Sequence, residues 1–209
     1  MDRSQRCKCR QPGDGIDPSI CCYIEHAGWR KDLLRIVNQR PKSQIKIVPL
    51  RDFPEHRVFF ADEFEAEWPD WYGPNGSASA IEDLNAFANP DGVLPVAVIA
   101  LGQDGSPIGI AALKAESISS HKHLTPWASA GYVIPERRGE GIGTSLVSAL
   151  LTEAGRLGFE TVYCAASRAA SLLRREGWEQ IDKVQLDGEQ VLVFSRAVSP
   201  VGREANESD

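Results

Sequence analysis

The stretch Val133-Ile-Pro-Glu-Arg-Arg-Gly-Glu-Gly-Ile-Gly-Thr144 constrains this chain more than any other. Ala130 to Ile134 reads as a short apolar strand, and Pro135 ends it because proline has no N–H to continue a ladder. Gly139, Gly141 and Gly143 then alternate with Glu140 and Ile142, and a helix begins. Its apolar positions Ile142, Leu146, Leu150, Ala154 and Leu157 recur at helical spacing, with Thr144, Ser148 and Glu153 expected toward water. A strand that passes through a glycine-rich turn into a helix N-terminus makes an anion site. The first-turn N–H groups have no partner in the helix, the dipole favours negative charge, and glycine lets backbone come close to a phosphate. Arg137 and Arg138 bring positive charge to the same turn.

Spacing separates the phosphate-binding alternatives. A P-loop needs Lys-Ser/Thr after its last glycine, whereas Gly143 is followed by Thr144 with no lysine. A dinucleotide fingerprint needs two residues between its second and third glycines, and Gly141 and Gly143 are separated by Ile142 alone. The acid at the right distance, Glu160, precedes the next strand, Thr161-Val-Tyr-Cys164, rather than ending it. Arg138-Gly-Glu-Gly-Ile-Gly143 instead resembles the Arg/Gln-x-x-Gly-x-Gly/Ala signature of the GNAT superfamily of N-acetyltransferases. Leu172-Leu-Arg-Arg-Glu-Gly-Trp178 stands where that family has Phe-Tyr-x-x-x-Gly-Phe/Trp. The resemblance is sharpest from Pro126 to Trp178 and extends in order of elements from Ile45 to Val198.

That resemblance implies an acetyl-CoA site and direct transfer of an acetyl group to an amine. Backbone groups of Tyr132, Val133 and Ile134 would hold the pantetheine arm. Arg138, Gly139, Glu140, Gly141, Ile142, Gly143 and Thr144 would hold the pyrophosphate, with Arg138 as the side-chain contact. Arg137 would face solvent or the 3′-phosphate. The family's thiolate-protonating tyrosine falls at Leu173, which carries no proton. Ser167 and Ser171 are the candidates to replace it, and Tyr163 reads as a packing residue. For the general base the candidates are Glu116, His121 and His123, since histidine titrates near neutrality. In Trp68-Pro-Asp-Trp-Tyr72, an aromatic loop between two helices, Trp68, Asp70, Trp71 and Tyr72 together with Glu67 form either a cup for a cationic amine or a hydrophobic plug. Leu173 also leaves open a second class, a fold that binds CoA as a sensor or interaction module without transfer.

The remaining elements support a mixed α/β sheet flanked by helices, mostly antiparallel. Ile45 to Leu50 is a strand in which Pro49 marks an edge or an end. A helix follows to about Ala66, with Val58, Phe59, Ala61 and Phe64 on its apolar side, and Ser77 or Ser79 caps a second from Ala80 to Ala88. Leu94–Leu101 with Pro107–Lys114, and Glu179–Leu186 with Glu189–Ser195, read as β-hairpins, the second following a short helix.

Composition decides what the surface can bind. Of 209 residues 42% are hydrophobic and 25% charged, with a net charge of −6. That balance fits a globular domain and argues against nucleic acid or an anionic membrane, both of which call for a basic face. No apolar run reaches the length of a membrane span, and the first residues have no apolar leader, so the expected compartment is the cytoplasm. Residues 45–198 form the transferase domain, 199–209 a polar tail, and 1–44 an ill-defined extension with a helix from Tyr23 to Val37. Cys7, Cys9, Cys21 and Cys22 lie in that extension and lack the Cys-x2-Cys spacing of zinc sites, so no metal is expected. The expected partner is a small-molecule or peptide amine, and a homodimer stays open.

Overall fold

The computed structural model describes residues 45–186 and 188–198. The helix and cysteines expected before residue 45, and the tail from 199, lie outside the described residues. Seven strands form one sheet in the order β1-β2-β3-β4-β5-β7-β6. They are β1 (Lys46–Pro49), β2 (Val96–Leu101), β3 (Pro107–Lys114), β4 (Trp127–Val133), β5 (Thr161–Ala166), β6 (Glu179–Leu186) and β7 (Glu189–Ala197). Neighbours pair antiparallel except β4 with β5, which run parallel. Pro49 is the last residue of edge strand β1, where its missing donor breaks no interior ladder.

Alternation along the inner strands sorts side chains to two faces. On one face Val98, Ala111, Leu113, Ala128, Val162 and Phe194 pack against helix α4 (Ile142–Arg156). Its Ile142, Leu146, Leu150 and Ala154 are all buried, as their spacing predicts, and each fully buried Leu or Ile is worth roughly 1.5–3 kcal/mol over exposure. Glu153 does not face water as expected. It accepts hydrogen bonds from Arg156 at 2.8 and 2.9 Å and lies 3.5 Å from Arg51.

On the opposite face Ile99, Leu101, Ile110, Ala112 and Tyr132 meet helices α1 (Arg57–Glu67) and α3 (Ala80–Phe87). The buried stripe of α1 is Phe60, Ala61 and Phe64, while Val58 is 63% exposed, one step round from the predicted face. The i, i+1, i+4 stripe continues from Phe64 to Trp68, so the aromatic segment after the helix sets which side turns in. That segment is not a loop. Pro69–Tyr72 forms a helical turn, α2, with proline at its first position, where no N–H is needed. Ser79 caps α3 by accepting from the Glu82 N–H at 3.4 Å. Beyond β5, the short helix α5 (Ala170–Arg175) leads into the last hairpin.

Candidate active site

Strands β4 and β5 pair only at Trp127–Tyr163 and Ala128–Cys164, then part. Their divergence begins beside an irregularity in β4, where Tyr132 pairs with Ile110 and Ser129 with Ala112. Two residues of β4 thus face one of β3, and Ala130 takes a positive φ of 52°. Such a bulge bends its strand and frees it from pairing. The gap between β4 and β5 opens into a cavity of about 630 Å³ that runs from Ala128 past Tyr132 and Val133 to Gly143 on α4.

The glycine loop closes one end. After a single 3-10 turn at Pro135–Arg137, Gly139 and Gly141 have φ of +85° and +84°. A Cβ on either would meet nothing within 4 Å, so the backbone angle, not crowding by the protein, demands glycine. Gly141 is the N-cap of α4, and no side chain caps it. The first helical bond runs from the Ser145 N–H to the Gly141 carbonyl, leaving the amides of Ile142, Gly143 and Thr144 outside the ladder. This 15-residue helix therefore presents its positive end at the cavity. A pyrophosphate fits here by chemistry: backbone donors, a dipole, and open space above two glycines.

Both arginines beside the loop have carboxylate partners. Arg137 pairs with Glu140 at 2.8 Å. Arg138 donates to the Val133 carbonyl at 2.8 Å and to Glu67 at 2.9 Å, with its guanidinium over the Tyr132 ring. Glu67 lies 3.8 Å from Arg168 as well. Of the backbone groups expected to bind the donor, the Ile134 N–H, just past β4, is taken by the Ile108 carbonyl at 3.1 Å.

A second cavity, about 270 Å³, lies on the α1–α3 side and is walled by Trp68, Trp71, Tyr72 and Phe87, with Lys114 and Glu116 at its polar edge. The aromatic segment is partly packed and partly open. Trp68 and Tyr72 pack on Phe64 with centroids 4.9 and 5.7 Å away, while Trp71 is 52% exposed. Asp70 is exposed and borders the larger cavity. The Tyr72 hydroxyl donates to Asp83 at 2.7 Å, and Lys114 stands 3.7 Å from the same carboxylate. Burial, then Asp83, raises the Tyr72 pKa, so its proton stays on. Tyr132 donates to Glu63 and is likewise raised, first by burial and then by that carboxylate.

The proposed catalytic residues do not converge. Glu116 lines the smaller cavity. His123 is exposed and stacks on His121, which bonds Ser120 at 2.8 Å and Asp182 at 3.1 Å, and neither histidine lines a cavity described above. Ser171 is exposed on α5 outside both cavities, whereas Ser167 borders the larger one. Leu173 is 2% exposed, within the α4 core, and Tyr163 packs beside Trp127.

Sequence reasoning missed Ser129 and Cys164, which line the larger cavity. Both lie on strands whose local pattern gives a face but not the cleft, which forms where β4 and β5 part, more than thirty residues apart in the chain. Burial pushes the Cys164 thiol up to about 12, so it is neutral at physiological pH. Among the described residues, no cluster of His, Cys, Asp and Glu is arranged to hold a metal, and no helix is long and apolar enough to cross a membrane.

A parallel pair splayed beside a bulge, with a helix N-terminus at the end of the split, makes an open cleft whose one end suits an anion. The model of the Acetyltransferase (GNAT) family matches residues 60–177, more than half of the chain, and the protein belongs to this family as a GNAT-type acetyltransferase. Solved structures share the fold. An aminoglycoside 6'-N-acetyltransferase complexed with coenzyme A superposes with a TM-score of 0.61 at 16% identity, over 74% of this chain and 98% of that one. The aminoglycoside 6'-N-acetyltransferase from Enterococcus faecium gives 0.59 at 19% identity, over 74% and 98%. A GCN5-related N-acetyltransferase from Kribbella flavida gives 0.56 at 21%, over 75% and 99%. No curated protein matches the chain.

Proposed function

We propose that this enzyme uses acetyl-CoA and transfers its acetyl group directly to a primary amine, with a cationic small molecule or peptide as acceptor. The observation that carries the reading is the meeting of two cavities across β4. The larger one ends at the uncapped N-terminus of α4, and the smaller one has an aromatic wall and a carboxylate. Acetyl-CoA supplies an activated acyl group with a stable leaving thiolate. The amides from Gly139 to Thr144 hold its pyrophosphate, and the β4 edge that β5 leaves unpaired orients the arm. Trp71 holds positive charge elsewhere on the acceptor, whose attacking nitrogen is a neutral amine, and Glu116 receives the one proton that nitrogen loses as the C–N bond forms and the C–S bond breaks.

One feature favours direct transfer over a covalent enzyme intermediate. Cys164, a thiol beside the cleft, is held protonated by burial and is a poor nucleophile. Leu173 offers no proton, so the sulfur leaves as the thiolate, which a thiol pKa near that of cysteine, about 8.5, permits.

Calorimetry on the full chain with acetyl-CoA, CoA and NAD tests the reading. Micromolar binding of acetyl-CoA with no heat from NAD is expected, followed by thiol release in the presence of amines drawn from aminoglycosides, polyamines and lysine peptides. Absence of acetyl-CoA binding would overturn it.

A further inference from the structure

Ser129 stands one residue before the β4 bulge, and two independent observations meet on it. Its hydroxyl oxygen is closed to solvent and has no hydrogen-bond partner. Buried hydroxyls are nearly always paired, and an unpaired one lowers stability, so an orphan calls for an explanation. The other orphan among the described residues, Trp178 Nε1, belongs to a residue of the α4 core that lines neither cavity.

Ser129 lines both cavities, together with Trp68, Trp71 and Ala130. Donor and acceptor can meet only where the two cavities meet, and Ser129 carries the sole hydroxyl of that group. Other hydroxyl protons nearby are committed: Tyr72 donates to Asp83 and Tyr132 to Glu63. Ser167 borders only the donor side and Ser117 only the acceptor side. Ser129 pairs with Ala112 and so faces the α1–α3 side of the sheet, toward the incoming amine. No hydrogen bond holds its present rotamer, and χ1 has other staggered wells to which it can turn.

We propose that the Ser129 hydroxyl donates a hydrogen bond to the acyl carbonyl oxygen of the donor thioester, a role that rests on the acetyl-CoA reading above. The choice of atom follows from charge. The amine already has the Glu116 carboxylate as an acceptor, whereas the carbonyl oxygen accepts only, and it gains negative charge as the amine attacks. A donor fixed there stabilises the transition state more than the bound substrate.

Acetyl-CoA and CoA, titrated as a pair into wild type, Ser129→Ala and Ser129→Thr, separate this role from any other, because CoA lacks the carbonyl. Ser129→Ala is expected to bind acetyl-CoA about fivefold more weakly, the net worth of one hydrogen bond, with CoA affinity unchanged. Ser129→Thr keeps the hydroxyl and is expected to restore the preference. Turnover of Ser129→Ala falls further, by about a hundredfold, as for a lost oxyanion donor. Its unfolding midpoint holds or rises, since an orphan polar group has been removed. Equal affinities of wild type and Ser129→Ala for acetyl-CoA would overturn the assignment, as would an equal loss for both probes. If wild type binds neither probe, the acetyl-CoA reading itself falls and Ser129 with it.

Discussion

Gly141 permits a test in which strain and function separate. Its φ of +84° and ψ of 5° lie in the left-handed region, and a Cβ there would meet nothing within 4 Å. Gly141→Ala therefore costs about 1–2 kcal/mol of backbone strain and no clash. Gly158, after the C-terminus of α4, has φ of +86° and equally open surroundings, so Gly158→Ala carries the same strain far from the loop. Gly141→Glu adds charge. A carboxylate about 5 Å from a phosphate oxygen, at an effective dielectric of about 20, costs roughly 3 kcal/mol, or at least a hundredfold in affinity. Urea unfolding should place the two alanine variants together. Calorimetry with CoA should find Gly158→Ala unchanged and Gly141→Glu at least a hundredfold weaker. Near-normal CoA affinity in Gly141→Glu would refute the placement of pyrophosphate at this turn.

Leu173→Tyr puts a phenol into a buried core site beside Trp178 and should lower stability by about 1–3 kcal/mol in urea, without a gain in turnover. An unchanged midpoint with faster turnover would show room for a proton donor there. Cys164→Ala should keep transfer activity, and iodoacetamide at neutral pH should leave Cys164 unlabelled by peptide mapping, because its thiol is neutral. Arg156, and less closely Arg51, holds the Glu153 carboxyl below its ordinary value of 4.5. A depressed folded pKa adds stability above the unfolded value, and this is lost as pH falls through the folded one. Glu153→Gln should therefore cost about 1 kcal/mol near neutral pH and little once the medium is well below 4.5.

Local chemistry made much of this protein legible in one dimension. The α4 stripe, the Ser79 cap, Pro49 at an edge and the glycine turn all depend on neighbours within a few residues, so spacing alone reports them. The loop's place at a helix N-terminus followed for the same reason. Register and partner choice are long-range, and there the pattern ran out. Val58 points outward because Phe64 and Trp68 share a packing face with Tyr132, a residue far along the chain. Arg138 meets Glu67 across 71 positions, and no local signal announces that pair.

The sequence by itself determined the order of elements and the glycine turn that enters a helix, because backbone preferences and 3.6- or 2-residue periods are local properties of the chain. Tertiary structure alone decided which side chains border the reaction. The β4 bulge breaks the alternation that parity would use, and the split from β5 opens the larger cavity, which shares Ser129 with the smaller one, some forty residues before the leucine that holds the family tyrosine's place.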